Sequence, residues 1–364
     1  MSYFLNEDWP QARERFQAFW QREILDRCCI SIRAPRPSSK TPLSLKAPAN
    51  HEELLAYWLD PEVNLQRMLD SFSRTYYAGE AYPATTMCLG ASVMAEFFGA
   101  GAEFRPDTVW YHPVITDLAA HEWKTDTTST PLYLATFTAM HRYIEASQGA
   151  FFVGLPELGS VTDDLGLLRG MQELLLDMID TPEAVKLAIR RLMTAWQTEH
   201  GRLYSLTRDV NAGGCCIPWM QTWAPGPHYQ MSCDFSAILS PALYREFIVP
   251  EIEAYLDVNE FGVYHLDGQD ALKHLETILA LPKLKAIQWT EGAGQPPKSD
   301  LRWIPYYRQI QHAGKCLILP EVAPHEIEML LNALSSRGLF LSAWCANEAE
   351  ALLLLEKVKR WTRD

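Results

Sequence analysis

Short β-rich runs recur along the whole chain, most of them followed by glycine, proline or an acidic residue and then by a helical pattern. They fall at residues 28–32, 84–89, 151–155, 214–219, 262–266, 285–289, 315–319 and 339–343. From residue 240 onward strand and helix alternate strictly. Such alternation implies a parallel sheet, because a helix must carry the chain back to begin each new strand on the same side. Repeated eight times, it suits a closed ring better than an open sheet, and no glycine-rich dinucleotide fingerprint follows the first run. The expected fold class is therefore α/β, a (β/α)8 TIM barrel with an N-terminal helix around Trp9 to Ile24 and insertions.

Two stretches do not fit the repeat and are read as insertions. One is 90–131, with its extended-looking Phe104-Arg-Pro-Asp-Thr-Val-Trp-Tyr-His-Pro; the other is the helical passage 164–208. Barrels of this kind accommodate 364 residues in one unit, and no linker or internal repeat intervenes, so residues 1–364 are expected to form a single domain. A net charge of -13 without basic runs argues against nucleic acid as a partner. The opening residues lack a basic and then apolar leader, and no apolar run approaches the roughly 18 residues of a membrane span, so a cytoplasmic protein is expected. Of eight cysteines, four form the adjacent pairs Cys28-Cys29 and Cys215-Cys216 inside apolar runs, which reads as reduced buried thiols.

Polar residues fit for metal binding or proton transfer stand directly after several runs. His265 and Asp267 end the fifth, Glu291 follows the sixth, Glu321 the seventh and Cys345 the eighth. Adjacent strands would bring them to one rim, and imidazole, carboxylate and thiolate are ligands that Zn2+ accepts. His265 and Asp267, two apart, point to the same side. The plainer alternative makes Cys345 a buried thiol, His265 a core histidine and Asp267 a helix cap. Asp163 and Asp164, just beyond the third run, and Asp234 in Met231-Ser-Cys-Asp-Phe-Ser are candidate acids or bases, or else caps and turn residues. Trp219, Trp223, Tyr264, Trp289 and Trp344 lie at or near strand ends and could wall a pocket for a small-molecule substrate. No phosphate loop, nucleophile elbow, His-Glu-x-x-His or Cys-x-x-Cys motif occurs.

Asp234-Phe-Ser-Ala-Ile-Leu-Ser-Pro-Ala-Leu-Tyr-Arg-Glu-Phe-Ile-Val-Pro-Glu, then Tyr264-His-Leu-Asp-Gly and Leu319-Pro-Glu-Val-Ala-Pro, resemble the second half of uroporphyrinogen decarboxylase-like proteins. The opening Asp8-Trp-Pro-Gln-Ala-Arg-Glu-Arg-Phe-Gln-Ala-Phe-Trp looks like an uncharacterised branch of that superfamily. The resemblance implies a TIM barrel and one of two chemistries: cofactor-free decarboxylation of a tetrapyrrole, or zinc-dependent methyl transfer between a corrinoid protein and a thiol or other acceptor.

Where the decarboxylases carry an Arg-rich N-terminal segment, this chain offers Arg33-Ala-Pro-Arg36, and in place of their Gly-His-Gly it reads Ala343-Trp-Cys-Ala. The His-x-Cys and later Cys that bind zinc in the methyltransferases map onto His265, Asp267 and Cys345, with Asp267 replacing a thiolate; cobalamin-independent methionine synthases add a Glu that Glu291 could fill. A carboxylate there makes the site harder and less electron-rich. The leading expectation is a zinc-dependent methyltransferase-like enzyme. The alternatives are a decarboxylase using Asp163, Asp164 or Asp234 with Arg33 and Arg36 holding carboxylates, and a non-catalytic corrinoid- or tetrapyrrole-binding protein. A homodimer stays open.

Overall fold

The computed structural model describes residues 8–37, 48–124 and 126–364, so the first seven residues, on which the absence of a leader was read, lie outside it. The described strands, in chain order, are β1 Cys29–Pro35, β2 Thr75–Gly79, β3 Ala84–Thr85, β4 Gly101–Phe104, β5 Val109–His112, β6 Phe152–Val153, β7 Cys215–Ile217, β8 Thr222–Ala224, β9 Gln230–Met231, β10 Val263–Asp267, β11 Ala286–Thr290, β12 Cys316–Leu319 and β13 Leu339–Trp344. A continuous parallel ladder runs β1, β13, β12, β11, β10, β9. β3 and β6 form a separate parallel pair. The architecture is mixed α/β around a parallel sheet, with helices such as Ile304–His312 and Glu348–Trp361 between or after the strands.

The ring expected from the sequence does not close as one ladder, and two local substitutions explain the gaps. β2 turns back antiparallel along β1, with Ser31 opposite Gly79 and Pro35 opposite Thr75, and so occupies the edge that β3 would need. On β6, the side chain of Asn211 takes the place of a neighbouring strand: Val153 N–H donates to its Oδ1 at 2.8 Å, and its Nδ2 donates to Val153 O at 2.8 Å. The fourth expected strand is also relocated. Residues 215–217 do not join the parallel sheet but pair antiparallel with 222–224, and the position beside β10 belongs to β9. Gly154 permits that hairpin to press on the end of β6, since a Cβ there would lie 2.4 Å from the Pro218 ring.

The hairpin and the first helix, α1 (Trp9–Trp20), plug one end of the sheet. Trp9, Ala12, Phe16, Phe19 and Trp20 recur at helical spacing and are buried. They form a core with Trp223, Phe340 and Phe152, and Trp20 Nε1 donates to Trp223 O at 2.9 Å. A charged network ties the same end together. Fully buried Glu80 accepts from both Arg27 nitrogens at 2.7 and 2.8 Å, from Arg15 at 3.3 Å and from the Ile30 amide at 2.7 Å. Arg15 also donates to Asp26 at 2.7 Å. Of the two expected insertions, 90–131 contains the β4–β5 hairpin and 164–208 is helical, mostly the helix Pro182–Thr207. Among the described residues no helix is long and apolar enough to cross a membrane.

Candidate functional site

Alternation along the strands sorts their side chains between two cores. Cys29, Val263, Ala286, Cys316, Ile318 and Phe340 belong to the core around α1. Their neighbours Ile30, Tyr264, Ile287, Leu317 and Leu339 belong to the larger core under the helices. Residues that share parity with the first set face inward, and towards the carboxyl ends of the strands that inner face turns polar. It carries Ser31 and Arg33 on β1, His265 and Asp267 on β10, Gln288 and Thr290 on β11, and Ser342 and Trp344 on β13.

Asp234, His265 and Asp267 converge there, each offering a ligand atom, with those atoms all within 4.8 Å of one another. β10 supplies two of them through its two-residue period. Asp234 comes from the 3-10 turn Asp234–Ile238, reached directly after β9. His265 Nδ1 is hydrogen-bonded to Gln288 Oε1, and Gln288 Nε2 donates to Thr290 Oγ1 at 2.9 Å. A carbonyl acceptor at Nδ1 selects the tautomer with a proton on that nitrogen and leaves Nε2 free to ligate or to accept a proton. Trp219, exposed at the tip of the β7–β8 hairpin, meets the imidazole edge-on with ring centroids 5.5 Å apart.

Asp163 stands behind Asp234. Its carboxylate accepts from the Ser160 hydroxyl at 2.7 Å and from the amides of Asp234 and Phe235 at 3.0 and 3.1 Å, so it holds the turn that presents Asp234. The Asp234 carboxyl is pushed up to about 6 by desolvation in the recess and by the negative charge of Asp163; His265 opposes the shift and Asp267 adds to it. Asp164 is fully buried. Its Oδ1 accepts from Ala95 N at 3.1 Å while Oδ2 has no partner, and burial holds the carboxyl well above its usual range.

Several expected members lie elsewhere, for reasons of parity. Cys345 follows inward-facing Trp344 and so falls on the outer side, buried in the larger core. Burial raises its thiol to about 11, with Glu350 as the charged neighbour. Glu291, one step past Thr290, pairs with Lys298 at 2.7 Å. Neither joins the Asp234–His265–Asp267 group. Tyr264 is buried on the outer side, hydroxyl to hydroxyl with Tyr244 at 2.9 Å, and Trp289 packs outward against Trp303. Trp223 belongs to the plug, where its Nε1 donates to Asn211 O. Of the expected aromatic wall, Trp219 and Trp344 remain at the mouth.

Arg33 is an inward residue of β1, its guanidinium 5.2 Å from the Trp344 ring centroid. The residue that sequence reasoning missed is Gln288. Its signal was its place two residues after Ala286 on a strand beside His265, which the apolar look of that run concealed.

No family model matches the sequence, and a search of curated proteins finds no match. Among solved structures the chain superposes on a methyltransferase from Methanosarcina mazei with a TM-score of 0.59 and 12% identity, over 96% of this chain and 98% of that chain. The likeness is one of fold. It spans nearly the whole of both chains.

Proposed function

We propose that the chain is a metal-dependent methyltransferase-like enzyme of the uroporphyrinogen decarboxylase-like type. In this reading β1, β3, β6, β9, β10, β11, β12 and β13 take the eight strand positions of a (β/α)8 barrel, and the polar inner face at their carboxyl ends is the working site. The observation that carries the proposal is the convergence of Asp234, His265 and Asp267, with Nε2 of His265 left free by Gln288.

This donor set suits a divalent cation. One imidazole and two carboxylates serve Zn2+ and also harder ions such as Mn2+ or Fe2+. With Cys345 on the far side of its strand, the set contains no thiolate, so the site is harder than the zinc centre implied by the resemblance. A bound cation would supply Lewis-acid polarisation of a methyl donor or acceptor. Asp163 fixes the turn bearing Asp234, Gln288 orients His265, and Trp219 and Trp344 shield the mouth. The methyl group would come from a corrinoid on a partner protein or from a thiol carrier.

Elemental analysis of wild type, His265→Ala and Cys345→Ala prepared in parallel tests the proposal. Stoichiometric metal in wild type and Cys345→Ala, lost in His265→Ala, is the expected outcome. Metal-free wild type from metal-replete cells would overturn it.

A second reading is favoured by the carboxyl of Asp234, which desolvation and the charge of Asp163 push up to about 6, and by the inward-facing Arg33. These suit a decarboxylase in which Arg33 holds a carboxylate and Asp234 delivers a proton to the carbon that loses CO2. It needs no metal, and CO2 release from a carboxylated tetrapyrrole in the presence of a chelator would select it.

A further inference from the structure

We infer that the recess between Arg33 and Glu321 is the anchoring subsite for a small zwitterion, a ligand with a carboxylate and an ammonium group a few bonds apart. The inference deepens the proposed function by naming a substrate class, and rests on it only in taking this end of the strands as the working face. Arg33 and Glu321 line one cavity of about 460 Å3 with Val322, Ala323, Pro324 and Trp344.

Burial disfavours the Arg33 cation and the charge of Glu321 favours it, yet no ion pair joins them. Arg33 Nε is buried without a hydrogen-bond partner. Its guanidinium is held over the Trp344 ring, and Trp344 keeps 49% of its surface exposed.

Glu321 is held in an unusual backbone conformation. At φ 56° it adopts the left-handed conformation that disfavours residues with a Cβ, and Ser342 fixes it there. The Glu321 amide donates to Ser342 Oγ at 2.9 Å, and the Val322 amide to Ser342 O at 2.8 Å. A glycine would sit at this position without strain. A glutamate at this strained position points to a use for its carboxylate.

Opposite charges that line one small cavity without pairing select for a ligand that carries both complements. The Arg33 fork matches a carboxylate, whereas Glu321 and the free part of the Trp344 ring attract an ammonium group. A plain carboxylate would meet the repulsion of Glu321, and a plain cation that of Arg33.

Calorimetric titration of the full chain tests this with straight-chain ω-amino acids from glycine to 6-aminohexanoate, and with the carboxylates and alkylammonium ions of matching length. At one length the amino acid should bind on the order of tenfold more tightly than either singly charged analogue. Glu321→Gln should erase the preference over the plain carboxylate while keeping carboxylate binding, and Arg33→Gln should lose both. Glu321→Gly, which relieves the backbone, provides a folded variant with the same expected loss of preference. Equal binding of amino acid and carboxylate, no effect of Glu321→Gln, or no binding of any member overturns the inference. Metal content is measured on the same samples: selectivity without metal sinks the metal reading alone, and metal without selectivity sinks this inference alone.

Discussion

The two ends of the parallel strands handle charge in opposite ways. At the amino ends, beside α1, Glu80 is saturated by Arg15, Arg27 and a backbone amide, and the surroundings are aromatic. At the carboxyl ends, Arg33 Nε has no partner, Glu321 is strained and unpaired, and Asp234 and Asp267 crowd together beside one histidine. The first end has the economy of a structural joint, where every charge removed from water is compensated. The second has the unsatisfied groups that a ligand would complete, which is where local rules of stability are expected to be broken.

The comparison is broken most sharply at Glu80. Glu80→Ala leaves Arg27 buried without a counter-charge and Arg15 with Asp26 alone, and should cost ~3–5 kcal/mol in urea unfolding. Arg33→Ala, at the other end, should change stability by less than ~1 kcal/mol. If both variants unfold alike, the two ends do not differ as described.

Next in size is metal affinity. Gln288→Leu frees the His265 ring and should weaken metal binding about 10–100-fold with little change in melting temperature, measured by competition with a chromogenic chelator. Cys345→Ala should leave that affinity unchanged.

A smaller effect separates the buried acids beneath the mouth from both ends. Burial raises Glu251 and Glu157 to about 7, above the usual glutamate value near 4.3. Both are raised on folding, so the stability they contribute is complete below about pH 4 and is lost as pH rises through about 7. Thermal melts should therefore fall between pH 5 and pH 8, and Glu251→Gln should flatten that slope. Smallest of all, Glu321→Gly should raise stability by ~1 kcal/mol by relieving the left-handed backbone, a gain seen as a higher melting temperature.

The parallel α/β order was legible because strands 262–266, 285–289, 315–319 and 339–343 alternate with helices at short range, and all four reappear within a residue or two as β10 to β13. His265 and Asp267 were legible for the same reason: a period of two places them on one side whatever the rest of the chain does. Nearness to a strand end does not say which side of β13 a residue occupies; Trp344 takes the inward position and the Cys345 thiol falls outside. The run at 214–219 has strand composition, but composition does not say which partner a strand will take, and its nearest partner is the hairpin arm 222–224.

What the sequence by itself determined is the succession of elements and the side-chain parity within each strand, since both follow from local backbone geometry. What only the tertiary structure decided is how far the ladder closes, and which residues from distant strands meet. Asn211 capping β6, Gln288 on His265 and Asp163 under Asp234 join groups tens of residues apart. Such pairings depend on how the strands stack and turn towards one another, and no local pattern carries that information.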